Sequence, residues 1–339
     1  MVKVNSVSGV TMPSEAGDYY VFVQAAPVWP NLLADESQGG NTAMGVGRIR
    51  VTEGGTAHYW GVNDYDGDGI SDLSVYERNQ GMWSVRTADG RVLGANVPFG
   101  RASATPAVGD YDGDGKADPA IYYAGIGLWN VMLSGSGYMT ASATLGAVGY
   151  EAVPGDYDGD GKADPVVHNE SSGIWEGFLS GSGYSYAVGQ FGAAGYRPVP
   201  GDYNGDGIWD LALYHEASGY WFILTPGGEL LKWAEYWGAP GYQAVSGDYD
   251  GDGKWDLAVY SENTGHWYVR TMSGTVLAAA KYWGSPGYIP VPGDYNGDGI
   301  WDLAVYHTAS GYWYAVSLKG QLILFNSPWG SSSASPVKW

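Results

Sequence analysis

The string Asp-Tyr-(Asp/Asn)-Gly-Asp-Gly begins at Asp64, Asp110, Asp156, Asp202, Asp248 and Asp294, so each copy starts 46 residues after the last. Two further series keep the same register. One is Trp83, Trp129, Trp175, Trp221, Trp267 and Trp313; the other is Phe99, Leu145, Phe191, Trp237, Trp283 and Trp329, each followed by Gly. An uninterrupted period of this length means one supersecondary unit repeated side by side, each unit covering the next.

Within one period, Gly195 to Gly201 reads as a short strand and residues 202–210 as a loop. Leu211 to His215, Tyr220 to Thr225 and Leu230 to Trp237 follow as three more strands, separated by Ser-Gly and Pro-Gly-Gly turns. Four antiparallel strands per period of about 45 residues describe a propeller blade, and no stretch shows the 3.6 periodicity that helical repeats require. First strands recur near residues 57, 103, 149, 195, 241, 287 and 333, which predicts an all-β, seven-bladed propeller occupying the whole of 1–339. In that reading, residues 57–332 form six blades. The strand-like runs Val2 to Val10, Asp18 to Gln24 and Val46 to Thr52, within residues 1–56, join a last strand in 333–339 as the closing blade.

Composition narrows the function classes. The chain has 339 residues, 55 of them Gly, with 15% aromatics and a formal charge of −20. Of the 36 acidic residues, 22 lie in the six repeated loops, and the remainder of the chain is close to neutral. The acidity therefore belongs to a motif, and it disfavours nucleic acid as a partner. There is no Cys, so no disulfide staples the fold. No apolar run is long enough to span a membrane or to serve as a signal peptide, so any export signal is expected to lie outside this chain.

Each loop reads as a ligand set for a hard cation, with side-chain oxygens at positions 1, 3, 5 and 9 and a main-chain carbonyl at 7. In the first three loops these are Asp64, Asp66, Asp68, Ile70 and Asp72; Asp110, Asp112, Asp114, Lys116 and Asp118; and Asp156, Asp158, Asp160, Lys162 and Asp164. In the last three they are Asp202, Asn204, Asp206, Ile208 and Asp210; Asp248, Asp250, Asp252, Lys254 and Asp256; and Asp294, Asn296, Asp298, Ile300 and Asp302. An all-oxygen set predicts calcium, six ions in all, and the absence of Cys and of His in these loops argues against zinc or copper. A helix-flanked calcium loop does not fit, because position 12 is Val75, Ile121, Val167, Leu213, Val259 or Val305, each inside an alternating strand.

These loops, together with Phe191-Gly-Ala-Ala-Gly-Tyr196 and counterparts such as Trp237-Gly-Ala-Pro-Gly-Tyr242, resemble the FG-GAP (VCBS-like) repeats of integrin α-subunit-type propellers. The likeness covers about residues 57 to 339. It departs at Leu145 and at the Trp residues that replace Phe, and at Asn204 and Asn296. The resemblance implies a calcium-bearing propeller that is secreted or cell-surface, often adhesive, and it names no ligand.

The calcium loops and the turns between strands three and four are expected at one end of the blades, leaving the other end for a ligand. There Tyr220, His266 and Tyr312 occupy one repeat position, where the first three blades carry Met82, Leu128 and Ile174. Aromatic rings at loop tips suit sugar stacking, so the reading is a glycan- or glycoprotein-binding module of an exported bacterial protein, monomeric as a domain, not an enzyme and without assigned catalytic residues. The enzymatic alternative, a calcium-dependent polysaccharide lyase or hydrolase, rests on residues that break the pattern: His58, His168, Glu176, Arg101, Arg197 and the irregular stretch 25–44. The third reading is a structural spacer. Most of the 16 Trp and 28 Tyr are expected to be interblade packing.

Overall fold

The computed structural model describes residues 62–338, and upstream of them the strands Gly17–Tyr20 and Arg48–Val51. These two strands pair antiparallel, Gly17 opposite Val51 and Tyr20 opposite Arg48, in a compact unit of their own, Val2–Tyr59. They fall on two of the three upstream runs, and Val2 to Val10 lies outside the described residues.

The larger unit is a six-bladed propeller. Five blades take their four strands consecutively, as in Tyr196–Pro198, Leu211–His215, Tyr220–Leu224 and Leu230–Tyr236. The remaining blade consists of Leu73–Glu77, Met82–Arg86 and Val92–Pro98, with Ser335–Pro336 as its innermost strand. Ser335 pairs with Tyr76 and Pro336 with Val75, and the Val337 amide donates to the Ser74 carbonyl at 2.8 Å.

This corrects the expected seven blades. The first strands counted at residues 57 and 333 are six periods apart, so in a six-membered ring they index one slot and had been counted twice. One repeated hydrogen bond shows the closure. The Asp64 carbonyl accepts from Ala117 N, Asp110 from Ala163, Asp156 from Trp209, Asp202 from Trp255 and Asp248 from Trp301, and the series ends with Asp294 accepting from Ser71 of the first blade at 2.7 Å. Among the described residues the closing blade is completed by Ser335–Pro336, and the two strands described in 1–56 form a sheet of their own.

Burial follows position in the blade. The second strand is covered on both faces by neighbouring blades, so Leu257–Ser261 is buried throughout, whereas the third alternates and the fourth is largely exposed. The Trp83 series is wholly buried, and in all but Trp129 the indole N–H donates to a carbonyl: from Trp83 to Phe99, Trp175 to Phe191, Trp221 to Trp237, Trp267 to Trp283 and Trp313 to Trp329. The repeated Trp thus ties the blade's exit to its third strand. The loop tyrosines from Tyr65 to Tyr295 are equally buried.

Among the described residues the outer strands are unpaired edges, and in four blades a bulge interrupts them, which discourages edge-to-edge association. The bulges place Asn96, Ala234, Ala280 and Asn326 at φ between 51° and 55°. Asn tolerates this left-handed backbone, whereas Ala is strained there by roughly 1 kcal/mol. Ala234→Gly and Ala280→Gly are each expected to raise the melting temperature by about 1–3 °C; calorimetry showing no rise for either would contradict the strain.

Candidate functional site

The six Asp-rich loops are folded by their own first residue. One Asp64 oxygen accepts from Gly67 N at 2.7 Å and the other from Gly69 N at 2.9 Å. The corresponding bonds recur in all six loops, from Asp110 with Gly113 and Gly115 to Asp294 with Gly297 and Gly299. Position 9 locks the far end: an Asp72 oxygen accepts from Tyr65 N at 2.8 Å, and Asp118, Asp164, Asp210, Asp256 and Asp302 do the same in their loops. A short loop thereby turns its side-chain oxygens inward.

In four loops the carboxylates at positions 1, 3 and 9 offer oxygens lying within 4.8 Å of one another: Asp64, Asp66 and Asp72; Asp110, Asp112 and Asp118; Asp156, Asp158 and Asp164; and Asp248, Asp250 and Asp256. Such groups can hold a metal ion. Burial, with smaller contributions from the neighbouring aspartates, pushes the Asp72 and Asp256 carboxyls up to about 8 and those of Asp64 and Asp164 to about 7. Oδ1 of Asp66, of Asp112 and of Asp210 is buried without a hydrogen bond among the described residues. Crowded, partly desolvated carboxylates with unused oxygens are the donor set that a hard divalent cation satisfies.

The position-5 aspartates stand slightly apart from these groups. Asp68 Oδ1 accepts from Ile70 N, as Asp114, Asp206, Asp252 and Asp298 accept from their position-7 amides. Position 7 has a second task that sequence reading missed, since its side chain lies over the position-4 Gly of the preceding blade. Lys116 covers Gly67, Lys254 covers Gly205, and Ile70 covers Gly297 across the ring closure. A Cβ at Gly67 would crowd the Lys116 chain, and Gly67 has φ +79°, so this glycine serves both loop turn and blade contact.

The loops are not equivalent. In two blades the turns Ser134–Ser136 and Ser180–Ser182 fold over the loop, Gly135 N donating to Asp112 and Ser134 N to Asp118, with Gly181 and Ser180 repeating the pattern on Asp158 and Asp164. In the first blade Arg91 forms an ion pair with Asp66. Where position 3 is Asn, the amide turns to a carboxylate of its own loop: Asn204 donates to Asp206 and Asn296 to Asp302. These contacts also fix the geometry of the blade ends, because they place the turns between strands three and four beside the Asp-rich loops.

At the opposite end, Tyr220, His266 and Tyr312 begin the third strands of three consecutive blades. Tyr220 faces Tyr236 across the strands, ring centres 5.4 Å apart and edge to face, and His266 faces Tyr282 at 5.5 Å. Tyr312 faces Pro328. Tyr236 and Tyr282 are 57% and 64% exposed, so each pair offers an accessible ring rather than a core contact. The partners Tyr236 and Tyr282 were not singled out from sequence, although their place one residue before Trp237 and Trp283 was a usable signal. The other three blades pair Met82 with Pro98, Leu128 with Thr144 and Ile174 with Gln190.

Among the described residues, the pattern-breaking His168, Glu176, Arg197 and Arg101 each make separate contacts. His168 is fully buried, its ring tilted against Trp175 with centres 4.7 Å apart and Nδ1 3.5 Å from Glu151. Glu176 accepts from Tyr150 at 2.6 Å, Arg197 pairs with Glu170 at 2.8 Å, and Arg101 gives its carbonyl to Tyr76. His58 and the stretch 25–44 lie outside the described residues.

Ring and loops together define a β-propeller with an Asp-rich turn leading into the second strand of every blade. The FG-GAP-like repeat family matches residues 64–120, 202–259 and 248–305, and this chain is a propeller of FG-GAP-like repeats. No curated protein is a significant match. Among solved structures, a lectin of Agrocybe aegerita that recognises non-reducing terminal N-acetylglucosamine is similar at 12% identity, over 81% of this chain and 96% of that one, with a TM-score of 0.52. The virginiamycin B lyase of Staphylococcus aureus is similar at 13% identity, over 81% and 85%, with a TM-score of 0.50. At such identities the likeness is one of fold. Among the described residues no helix is long and apolar enough to cross a membrane.

Proposed function

We propose that this propeller is an extracellular, calcium-stabilised binding module whose ligand is a glycan or glycoprotein. The observation that carries the reading is the recurrence of a solvent-accessible aromatic at one position in three adjacent blades, Tyr220 and Tyr312 exposed and His266 half-buried, backed in two of them by a second, exposed ring. Aromatic faces bury the C–H faces of sugars with little entropy loss, and equivalent sites on neighbouring blades multiply weak single contacts into useful avidity. Repetition favours recognition over catalysis, which needs one unrepeated constellation.

Calcium fills the Asp-rich loops in this reading, six ions held by positions 1, 3, 5 and 9 and the carbonyl of position 7. The four three-carboxylate loops are the tighter sites, and the loops with Asn204 and Asn296 the weaker. Affinities of ~10⁻⁴ to 10⁻³ M, usual for extracellular modules, suit a secreted or surface-held protein.

A glycan array tests this directly. The calcium-loaded chain is expected to bind a defined subset of glycans, and Tyr236→Ala combined with Tyr282→Ala to weaken binding by about 10-fold or more while the melting temperature moves by less than about 2 °C, since both rings are exposed. A folded, calcium-loaded chain that binds no glycan above background would refute the proposal.

A further inference from the structure

In the blades that carry Leu128–Leu133 and Ile174–Leu179, strands three and four pair in one unbroken register. The other four blades interrupt that pairing with bulges, and their third strand is one residue shorter. The longer pairing delivers the turns Ser134–Ser136 and Ser180–Ser182 onto the Asp-rich loops, where each holds three carboxylates at once. Ser134 N donates to Asp118 at 2.7 Å, Gly135 N to Asp112 Oδ2 at 2.9 Å and Ser134 Oγ to Asp114 at 3.0 Å. Ser180 and Gly181 make the same bonds to Asp164, Asp158 and Asp160. A Cβ on Gly135 would stand 3.0 Å from Asp112 Oδ2 and 3.1 Å from Asp114 Oδ2, so the turn lies directly on the carboxylates. With Asp112 Oδ2 held by the turn, Oδ1 of the same group is the buried oxygen left without a hydrogen bond. Both turns end on a tyrosine, Tyr138 at φ 64° and Tyr184 at φ 62°, a left-handed backbone that a bulky residue keeps only where its surroundings hold it.

The loop 248–256 offers the same three carboxylates and gives an internal comparison. Its neighbouring turn closes on itself, Thr271 N donating to the Thr275 carbonyl, and Asp250 is exposed where Asp112 and Asp158 are half-buried. In the first blade the turn brings a cation instead: Arg91 pairs with Asp66, and its charge opposes a second cation in that loop. We propose that the turns at Ser134 and Ser180 are lids that preorganise their two loops for calcium and slow its release, leaving the other loops to exchange fast. The inference rests on the calcium reading given above. Carboxylates already ordered by donors outside the ligand set lose less freedom on gathering round an ion, which raises affinity. Release then requires the turn to lift and three charge-assisted hydrogen bonds to break, which lowers the off-rate.

Stopped-flow mixing of the calcium-loaded intact chain with excess quin-2, a fluorescent calcium chelator, tests the assignment. Two ions per chain are expected to leave about 10-fold or more slowly than the others. Gly135→Ala combined with Gly181→Ala sets a methyl group against the carboxylates and is expected to move both ions into the fast phase, while the melting temperature in EDTA shifts by less than about 2 °C. Ser134→Ala combined with Ser180→Ala removes one donor of three without adding bulk, and is expected to raise the slow rate about 3- to 10-fold. Asp250→Ala, in the loop without a lid, is expected to cost one fast ion and leave the slow pair intact. A single release phase, a slow rate unchanged by either pair of substitutions, or a slow phase that loses amplitude in Asp250→Ala would each overturn the lids while leaving calcium binding in place. A chain that takes up no calcium at millimolar concentration would overturn both the lids and the calcium reading.

Discussion

Excess EDTA is expected to lower the melting temperature of the calcium-loaded chain by about 5–15 °C, and by more at pH 8 than at pH 5.5. At millimolar calcium, a site with a dissociation constant of ~10⁻⁴ to 10⁻³ M stabilises the fold by roughly 0.4–1.4 kcal/mol. The four loops with three converging carboxylates would thus contribute about 2–6 kcal/mol, a large share of ordinary domain stability. The pH dependence follows from carboxyls that burial holds near 8 at Asp72, Asp256 and Asp302 and near 7 at Asp64, Asp164 and Asp210. With their folded pKa values above the unfolded 3.8, the chelated native state binds more protons than the unfolded chain across pH 4 to 8, so its stability falls as pH rises through that window. A divalent cation among the same oxygens favours the ionised form and reverses the slope. Calorimetry at several pH values, with calcium and with EDTA, reads both effects. Melting curves that coincide at pH 8 would rule out a stabilising role for the ion.

What the chain spelled out most clearly was what repeats at short range. The loop from Asp64 to Asp72 carries its own folding instructions, because the position-1 carboxylate bonds amides only three and five residues on. Strand order within a blade was readable for the same reason, each strand pairing with the next. The number of blades was not. A period reports the unit and says nothing of the rotation between units, and it takes contacts that span the whole ring, such as the Ser71 to Asp294 bond and the Ser335–Pro336 pairing, to reveal that the sixth blade meets the first. The aromatic rims were half legible: Tyr220 and His266 stood out by replacing Met82, Leu128 and Ile174, but Tyr236 and Tyr282 acquire meaning only once strands three and four are paired.

Removing residues 334–339 is expected to cost about 5 kcal/mol or more, lower the melting temperature by about 10 °C or more, and promote association. The closing strand contributes Ala334, Pro336 and Val337 to the core, Val337 being 1% exposed. Its loss would uncover the edge of Leu73–Glu77 and remove the pairing of Ser335 and Pro336, the Val337 amide bond, and the Asn63 amide bond to the Val337 carbonyl. Burying one valine is worth roughly 1.5–3 kcal/mol, and each stranded backbone group adds about 1–3 kcal/mol. The exposed edge is a template for a second chain, so light scattering should rise as well. Val337→Asp isolates the same contact without shortening the chain, placing a carboxylate where no solvent reaches, and should destabilise by a comparable amount, whereas Val337→Ile should change little. Residues 57–61 lie six periods before 333–337, so Tyr59-Trp60-Gly61 stands in the same register as the strand removed. A truncated chain that melts within about 3 °C of the full one, with no more light scattering than it, would mean that this upstream copy can take the slot, and that the ring does not depend on Ser335–Pro336 for its closure.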